Sequence, residues 1–311
     1  MSLVVVGSIA FDAVKTPFGE RERMLGGSAV HFSLAASFFT DVRVVGPVGD
    51  DFGDPEYAVL RERGVNTDDI ERVEGGKTFF WKGEYEWNLN IRHTHDTQLN
   101  VFGEFQPKLS EASAGADVLF LANIQPDLQR EVREQCSGAK LAGLDSMNLW
   151  IDTARDSLVR TIGTVDVVLM NDDEIRMLTE QPTLLRAARD VMEMGPSTVV
   201  VKQGEYGAAL FTGEGFFSLP AYPLETVIDP TGAGDCFAGG FLGYLASEGA
   251  PGDDASLRRA MTFGSVVASF NVEQFGTERV QALTHGEINR RFEEFRLMTH
   301  LDTQPVELRS A

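Results

Sequence analysis

The chain has 311 residues, 43% of them hydrophobic, and carries 27 Lys and Arg against 47 Asp and Glu, a formal net charge of −20. This length and apolar content predict a soluble globular protein with a large core, because no segment approaches the about 18 consecutive apolar residues of a membrane span. The acidic balance argues against partners such as nucleic acid or an anionic membrane, since both require basic surfaces.

The N-terminal segment, residues 1–7, has no basic region and no cleavage site, and therefore indicates a first strand rather than a signal peptide. The two cysteines, Cys136 and Cys236, form neither a disulfide framework nor a metal-binding pattern. We therefore expect a protein of the reducing cytoplasm. Six of the 27 basic residues are lysine, and together with the excess of acids this leads to the hypothesis of a salt-rich source.

The chain alternates between short apolar strands and amphipathic helices, which favours a doubly wound, mainly parallel α/β sheet flanked by helices. The predicted strands are residues 3–6, 41–45, 117–121, 140–144, 165–170, 198–202, 208–211 and 226–228. The predicted helices are residues 29–39, 55–63, 126–135, 151–162, 183–194, 236–245, 257–270 and 286–296.

Polar and glycine residues follow the first strand, where open α/β sheets bind ligands. Asp12 offers two carboxylate oxygens to sugar hydroxyls, although it could equally be a turn acid. Gly26 and Gly27 precede a helix and permit close approach of a ligand, or simply form a tight turn. Asn123 follows the third predicted strand and is a further candidate for substrate binding.

Residues 78–105 interrupt the alternation and hold seven of the 29 aromatic residues of the chain. Their β-prone runs predict a few strands that project from the main sheet, either to cover a site or to meet a second subunit in a homodimer. Ordinary core packing is the alternative explanation for these aromatic residues.

Two later strands also end in polar residues. Asn171 and Glu174 have the spacing of a capping box, and the same position suits a Mg²⁺ or phosphate site. Lys202 ends the next predicted strand, where its ammonium group could reach a phosphate, and Gly204 and Gly207 form the turn that follows.

The most informative segment is residues 229–235, D-P-T-G-A-G-D, between a predicted strand and a helix. Such a turn leaves the amides of Gly232, Ala233 and Gly234 without helical partners, and these donors favour an anion. Asp235 stands beside that anion site, where it is either a general base for an incoming hydroxyl or an ordinary acid of a first helical turn.

Two other glycine motifs do not fit this segment. Gly240 and Phe241 replace the Lys and Ser/Thr of a P-loop. Phe237 stands where a dinucleotide fingerprint requires its third glycine or alanine, which argues against an NAD-linked dehydrogenase.

These motifs, in this order, resemble the ribokinase-like (PfkB-type) carbohydrate kinase family over nearly the whole chain. The matching motifs are G-S-I-A-F-D at 7–12, G-G at 26–27, G-P-V-G-D-D-F-G at 46–53, N-D-D-E at 171–174, K-Q-G-E-Y-G at 202–207, and D-P-T-G-A-G-D at 229–235. The resemblance implies one domain over residues 1–311, with a β-sheet lid at about 12–22 and 76–106 and a loose tail at 300–311. It also implies ATP- and Mg²⁺-dependent phosphorylation of a hydroxyl on a sugar or nucleoside.

The resemblance implies a role for each matching residue. Asp235 is the base, with the amides of Gly232, Ala233 and Gly234 as the anion hole. Nucleotide contacts are implied for Lys202, Gly204, Gly207 and Gly232, and acceptor contacts for Asp12, Gly26, Gly27 and Asp235. Asn171 and Glu174 would order Mg²⁺ and phosphate oxygens, while Asp229, Thr231 and the loop near Gly276 resemble the site where several members bind a monovalent cation such as K⁺.

One position departs from the family pattern, since His31 stands where an asparagine is common five residues after the first glycine of the pair. This departure concerns recognition of the acceptor rather than the chemistry. The rival class is a catalytically silent binding or regulatory protein on the same scaffold, against which the intact Asp235 argues.

Overall fold

The structure of the protein, a computed structural model, describes residues 1–300, so the predicted tail at 300–311 lies outside the described residues except for His300. Within residues 1–300, the strands are Ser2–Val6 (β1), Ala10–Thr16 (β2), Gly19–Gly26 (β3), Asp41–Val48 (β4), Ile70–Arg72 (β5), Phe79–Tyr85 (β6), Arg92–Gln98 (β7), Val118–Leu121 (β8), Leu141–Asp145 (β9), Val167–Asn171 (β10), Thr198–Lys202 (β11), Ala208–Thr212 (β12) and Gly215–Leu219 (β13). The α-helices are Ser28–Ala36 (α1), Asp54–Glu62 (α2), Glu111–Ala114 (α3), Pro126–Gln135 (α4), Asn148–Thr153 (α5), Arg155–Ile162 (α6), Asp172–Thr179 (α7), Leu184–Glu193 (α8), Ala233–Ser247 (α9), Asp254–Asn271 (α10), Glu278–Ala282 (α11) and His285–Met298 (α12). Short 3₁₀ turns lie at Asn100–Glu104 and Gly204–Tyr206.

Nine strands form the main sheet, in the order β13-β12-β11-β10-β9-β8-β1-β4-β5. Seven of them, from β11 to β5, run parallel, and β12 and β13 extend the sheet antiparallel at one edge. The predicted doubly wound, mainly parallel sheet is therefore confirmed.

The sheet is buried on both faces, which is why its strands are almost continuously apolar. In β1, Leu3 and Val5 pack into one core layer with helices α1, α9 and α10. Val4 and Val6 pack into the opposite layer with α4, α6, α7 and α8. The alternation follows from the two-residue period of a strand and places helices on both faces.

Four strands form a second sheet, in the order β3-β2-β6-β7. The chain enters this second sheet directly after β1, and the sheet includes the segments predicted as a lid. The aromatic residues of this region divide, because Phe105 packs in the core and Phe102 stacks on Phe79 with ring centroids 5.3 Å apart. Trp87, by contrast, is 83% exposed, and a homodimer through this sheet stays a prediction.

Two predicted elements are wrong. The helix predicted at 151–162 is two helices, because Ala154 leaves the helical conformation at φ −142° and ψ 30°. The strand predicted at 226–228 is a loop, in which the Ile228 amide donates to the Val272 carbonyl at 2.8 Å, beyond the end of α10. The residue after α10, and not a neighbouring strand, therefore accepts the backbone hydrogen bond of this β-prone segment.

None of the helices within residues 1–300 is both long enough and apolar enough to cross a bilayer.

Candidate active site

The turn before α9 is held by a buried carboxylate. Asp229 is fully buried, and its Oδ1 accepts the amide of Thr231 at 2.9 Å while its Oδ2 accepts the amide of Gly276 at 2.9 Å. Burial is the largest cause that raises the pKa of Asp229, and these two hydrogen bonds oppose it. The carboxylate thus closes the turn and ties it to the loop that follows α10.

Helix α9 begins with exposed amide donors. Gly232 is its N-cap residue, in the left-handed region at φ 75°, and no side chain caps the helix. The amide of Ala233 donates to Pro230 within the turn, at 3.2 Å. Of the three predicted donors, Ala233 is therefore occupied, while among residues 1–300 the amide of Gly234 donates to no other residue and is available to an anion. The Asp235 amide lies against its own carboxylate.

Asp235 lies in the first turn of α9, half-buried, beside these amides. Burial raises the pKa of Asp235 to about 7, with a further contribution from the charge of Asp145, while Lys202 and Arg92 oppose the shift. A carboxyl group that ionises near neutral pH is suited to accept a proton from a hydroxyl.

Three adjacent parallel strands bring their final residues together at the C-terminal end of the sheet. β9 ends at Asp145, β10 at Asn171 and β11 at Lys202, and the last two are register partners. Lys202 Nζ lies 2.5 Å from Asp145 Oδ2, with both side chains largely buried. A Cβ built on Gly234 would lie 3.1 Å from Lys202 Nζ, so the ammonium group stands at the start of α9.

Asn171 and Glu174 form the predicted capping box at the start of α7. Asn171 Oδ1 accepts the Glu174 amide at 2.7 Å, and Glu174 Oε2 accepts the Asn171 amide at 2.8 Å. Burial raises the pKa of Glu174 to about 7, helped by Asp145 and opposed by Lys202. A cation would stabilise this buried carboxylate, and one or two carboxylates with water and phosphate oxygens make the usual Mg²⁺ site.

The predicted acceptor residues Asp12 and Gly26 lie on paired strands, β2 and β3, of the second sheet. Asp12 on β2 is buried, and its pKa is raised to about 7 by burial and by Asp229, against a hydrogen bond from the Gly27 backbone. A Cβ at Gly26 would come within 2.0 Å of Asp12 Oδ2, so the carboxylate requires glycine there. The charge of Asp235 also contributes to the raised pKa of Asp12.

The predicted nucleotide loop follows Lys202 directly. Gly204 and Gly207 have φ values of 56° and 101°, and a Cβ at Gly207 would meet the Leu219 carbonyl at 2.1 Å. Both glycines therefore shape the loop between β11 and β12. Asn90, from the hairpin between β6 and β7, donates to Glu205 in this loop at 2.9 Å.

The second sheet contributes two residues that the sequence did not reveal. Tyr85 at the end of β6 bonds through its hydroxyl to Thr231 Oγ1 at 3.3 Å. Arg92, its cross-strand partner on β7, acts on the pKa values of Asp12, Glu174 and Asp235 and lowers each of them.

Asp145 was also missed, although a signal existed. It directly follows an apolar strand, as Asn171 and Lys202 do, but the predicted strand ended one residue earlier. Arg92 and Tyr85 carry no such signal, because their position depends on how the hairpin folds over the main sheet.

Asn123, a predicted substrate-binding residue, bonds to Trp150 and lies against Met147. Its Oδ1 accepts the Trp150 indole N–H at 2.9 Å, and its Nδ2 lies 3.0 Å from Met147 Sδ. The amide therefore contacts α5 and the residue before it, and within residues 1–300 it makes no hydrogen bond to Asp12 or Asp235. A substrate role for Asn123 stays a prediction.

Comparisons with known proteins agree with this architecture. The family model of the pfkB family of carbohydrate kinases matches residues 2–282. A cytidine kinase of Thermococcus kodakarensis is 30% identical over 81% of this chain and 90% of its own, and a nucleoside kinase of Methanothermobacter thermautotrophicus is 28% identical over 89% and 91%. The crystal structure of Methanocaldococcus jannaschii nucleoside kinase, an archaeal member of the ribokinase family, superposes with a TM-score of 0.77 at 20% identity, covering 94% of this chain and 98% of that one. The chain therefore belongs to the pfkB family of carbohydrate kinases.

Proposed function

We propose that this protein transfers the γ-phosphoryl group of ATP to a hydroxyl of a nucleoside or sugar, most readily a nucleoside, with Asp235 as the general base. The observation that supports this proposal is the position of Asp235. Its carboxyl group, with a pKa of about 7, follows Gly234, whose backbone lies beside Lys202 Nζ, and its charge also raises the pKa of Asp12. A proton acceptor at the boundary between a hydroxyl-binding acid and an anion site is what hydroxyl phosphorylation requires.

On the acceptor side, Asp12 accepts hydrogen bonds from ligand hydroxyls, and the backbone at Gly26 and Gly27 allows them to approach. Asp235 then takes the proton of the attacking hydroxyl as its oxygen bonds to phosphorus. The carboxylate is the form of Asp235 that accepts the proton. Since burial raises the pKa of Asp235, this carboxylate is also a stronger base.

On the phosphate side, Lys202 and the amide of Gly234 neutralise charge on the transferred group. Glu174 and Asn171 would hold Mg²⁺, which supplies further neutralisation of the phosphate oxygens when bound. Gly204 and Gly207 would line the nucleotide. A monovalent cation at Asp229 and Thr231 stays a prediction.

Two observations favour nucleosides over plain sugars as acceptors. The cytidine kinase and the nucleoside kinase are similar to this chain over more than four fifths of its length. The hairpin between β6 and β7 also supplies Tyr85 beside the catalytic turn and Trp81 near Arg92, and aromatic faces are suited to a nucleobase.

The test is a panel of ribose, fructose, ketodeoxygluconate, adenosine, inosine and cytidine, each incubated with ATP and Mg²⁺ while ADP formation is measured. We expect turnover, fastest with a nucleoside. Tight binding of an acceptor without turnover of any would instead indicate the catalytically silent alternative.

Asp235→Asn should keep the fold and lower kcat by on the order of 10²–10⁴, the contribution of a general base. The matched control is Asp254→Asn, because Asp254 lies in the first turn of α10, half-exposed and paired with Arg258. The control should retain full turnover, and equal turnover of both variants would remove the assigned role of Asp235.

A further inference from the structure

Three polar side chains meet in the core directly behind the turn that precedes Asp235. His31 on α1, Cys236 on α9 and Asn271 at the end of α10 are all buried. His31 Nδ1 lies 3.2 Å from Asn271 Oδ1, and Cys236 Sγ lies 3.3 Å from the same oxygen. Polar groups that are buried together in an apolar core require a reason beyond packing.

The hydrogen bonds of this cluster have one consistent arrangement. Asn271 Nδ2 donates to the Thr231 carbonyl at 2.7 Å, so Oδ1 is the acceptor that faces His31 and Cys236. Burial lowers the pKa of His31 to about 4, so the imidazole is neutral and has one proton. That proton must lie on Nδ1 to reach Asn271, because two acceptors cannot bond to each other.

His31 also contacts the turn itself. A Cβ built on Gly232 would lie 2.3 Å from both Cε1 and Nδ1 of His31, so the ring packs directly against the backbone of Gly232. The cluster thus contacts the turn at two adjacent residues, the carbonyl of Thr231 and the backbone of Gly232. Cys236 follows Asp235 in the chain, so the cluster is connected to the proposed base as well.

We propose that His31, Asn271 and Cys236 form a positioning network that fixes the turn of Thr231 and Gly232, and through it the helix-start amides and Asp235, in the geometry for phosphoryl transfer. This inference rests on the proposed function of Asp235. Asn271 holds the turn through the Thr231 carbonyl, and His31 and Cys236 hold the Asn271 amide in the orientation that permits this bond.

One feature distinguishes this role from packing alone. His31 Nε2 is buried and has no hydrogen-bond partner among the described residues. An unpaired buried nitrogen costs stability, and an apolar side chain at this position would avoid that cost. The imidazole therefore contributes an interaction that an apolar side chain could not make. That interaction is the hydrogen bond from Nδ1–H to Asn271.

The test uses two disruptive variants, each combined with kinetic measurement of the best acceptor. Asn271→Asp has the same shape but cannot donate to the Thr231 carbonyl, and His31→Leu removes the donor to Asn271. We expect each to lower kcat by about 10- to 100-fold with the KM for ATP unchanged, because small displacements of catalytic groups have effects of this size. Since the residues act as one unit, the double variant should lose little more than either single variant.

A rescue variant and a control complete the series. His31→Asn places an amide N–H at the position of Nδ1 and should have a kcat much closer to the unmodified protein than His31→Leu. Ser33→Ala is the control, because Ser33 is also buried on α1 and its hydroxyl has no hydrogen-bond partner within residues 1–300. Thermal unfolding of every variant separates loss of fold from loss of position.

The tautomer of His31 tests the network without any variant. Nitrogen-15 NMR of the unmodified protein should show Nδ1 protonated and Nε2 unprotonated from about pH 6 to 8. An Nε2–H tautomer, unchanged kcat in folded Asn271→Asp and His31→Leu, or additive losses in the double variant would each overturn the network. No turnover of any acceptor by the unmodified protein would instead overturn the proposed function, while the tautomer measurement would still decide the hydrogen-bond arrangement.

Discussion

Three acids with similar pKa values share the cleft. Burial raises the pKa of Asp12, Glu174 and Asp235 to about 7 in each case, and a second acid contributes to each shift. Lys202 offsets part of this repulsion for Glu174 and Asp235, and Arg92 does so for all three. The ligand-free cleft is therefore short of positive charge, which bound cations would supply.

The pH dependence of kcat/KM should follow from Asp235. Because its raised pKa delays formation of the carboxylate until about pH 7, kcat/KM should rise from pH 5.5 to 8 with a midpoint near 7. Lys202 lowers the pKa of Asp235, so Lys202→Met should move this midpoint to higher pH.

The matched control for that shift is Lys140→Met. Lys140 pairs with Asp117 and directly precedes β9, so it lies at the opposite end of this strand from Asp145. Its pH profile should equal that of the unmodified protein. A midpoint that Lys202→Met leaves in place would contradict the assignment of the acid limb to Asp235.

Stability of the ligand-free protein should fall as pH rises through the same range. A carboxyl group whose pKa is higher in the folded than in the unfolded chain binds its proton more tightly when folded, so its contribution is lost as pH rises from about 4 to about 7. The lowered pKa values of Asp127 and Glu287, both about 2, affect stability only at more acidic pH.

We therefore expect Tm to be lower at pH 8 than at pH 5.5 by a few degrees, since a chain longer than about 250 residues shifts in Tm by roughly 2 °C or less per kcal/mol. Calorimetry on the ligand-free protein measures the slope. Asp235→Asn should flatten it and the exposed Asp254→Asn should not. Equal slopes in the two variants would show that Asp235 ionises normally.

The sequence predicted the relative position of candidate site residues where strand order determines it, while their roles stay predictions. Lys202 and Asn171 end neighbouring strands, and the parallel arrangement brings them together. Asp235 and Gly234 were predicted because the start of a helix defines its own donors. Arg92 and Tyr85 were not, since their place in the cleft depends on the fold of a hairpin over a distant edge of the sheet.

At the scale of elements, the hairpin of β6 and β7 contacts both parts of the cleft. Tyr85 bonds to Thr231 in the turn before α9, and Asn90 bonds to Glu205 in the predicted nucleotide loop. Arg92 lies opposite Tyr85 in the hairpin. The hairpin therefore bonds to the turn before α9 and to the loop between β11 and β12, and its role as a lid stays a prediction.

Arg92→Gln should lower kcat about tenfold or more, because it removes a charge that compensates the acids around the transferred phosphoryl group. The matched control is Lys82→Gln, an exposed cation on β6 of the same sheet. Steady-state kinetics with the best acceptor compare the two variants, and a kcat equal to that of the Lys82 variant would show that Arg92 only shapes the surface.

The elements predicted well are those whose pattern is independent of distant contacts. The strand at Thr198–Lys202 has the predicted bounds because its valines are buried on both faces. The segment at 226–228 has a similar β-branched pattern, yet its Ile228 amide bonds to Val272 beyond the end of α10. Local propensity identifies an extended segment, but only the tertiary fold supplies the strand that pairs with it.

At the scale of the whole molecule, charge is the dominant feature. The chain carries 20 more acids than bases. Its pairs are mostly exposed, such as Arg296 with Glu293, each 58% exposed, and exposed pairs contribute little to stability. The excess of negative charge therefore repels itself across the surface and destabilises the compact state.

Salt should consequently stabilise this protein. Raising KCl from about 0.1 M to about 1 M shortens the screening length from about 10 Å to about 3 Å, so most of the repulsion between surface acids disappears. We expect Tm to rise steeply up to about 1 M and then level off, because screening is nearly complete at that length. Sucrose, which stabilises by exclusion and does not screen charge, should give a gradual rise without this plateau. A salt response with the same shape as the sucrose response would mean that repulsion among the acids does not limit stability, and the hypothesis of a salt-rich source would lose its physical support.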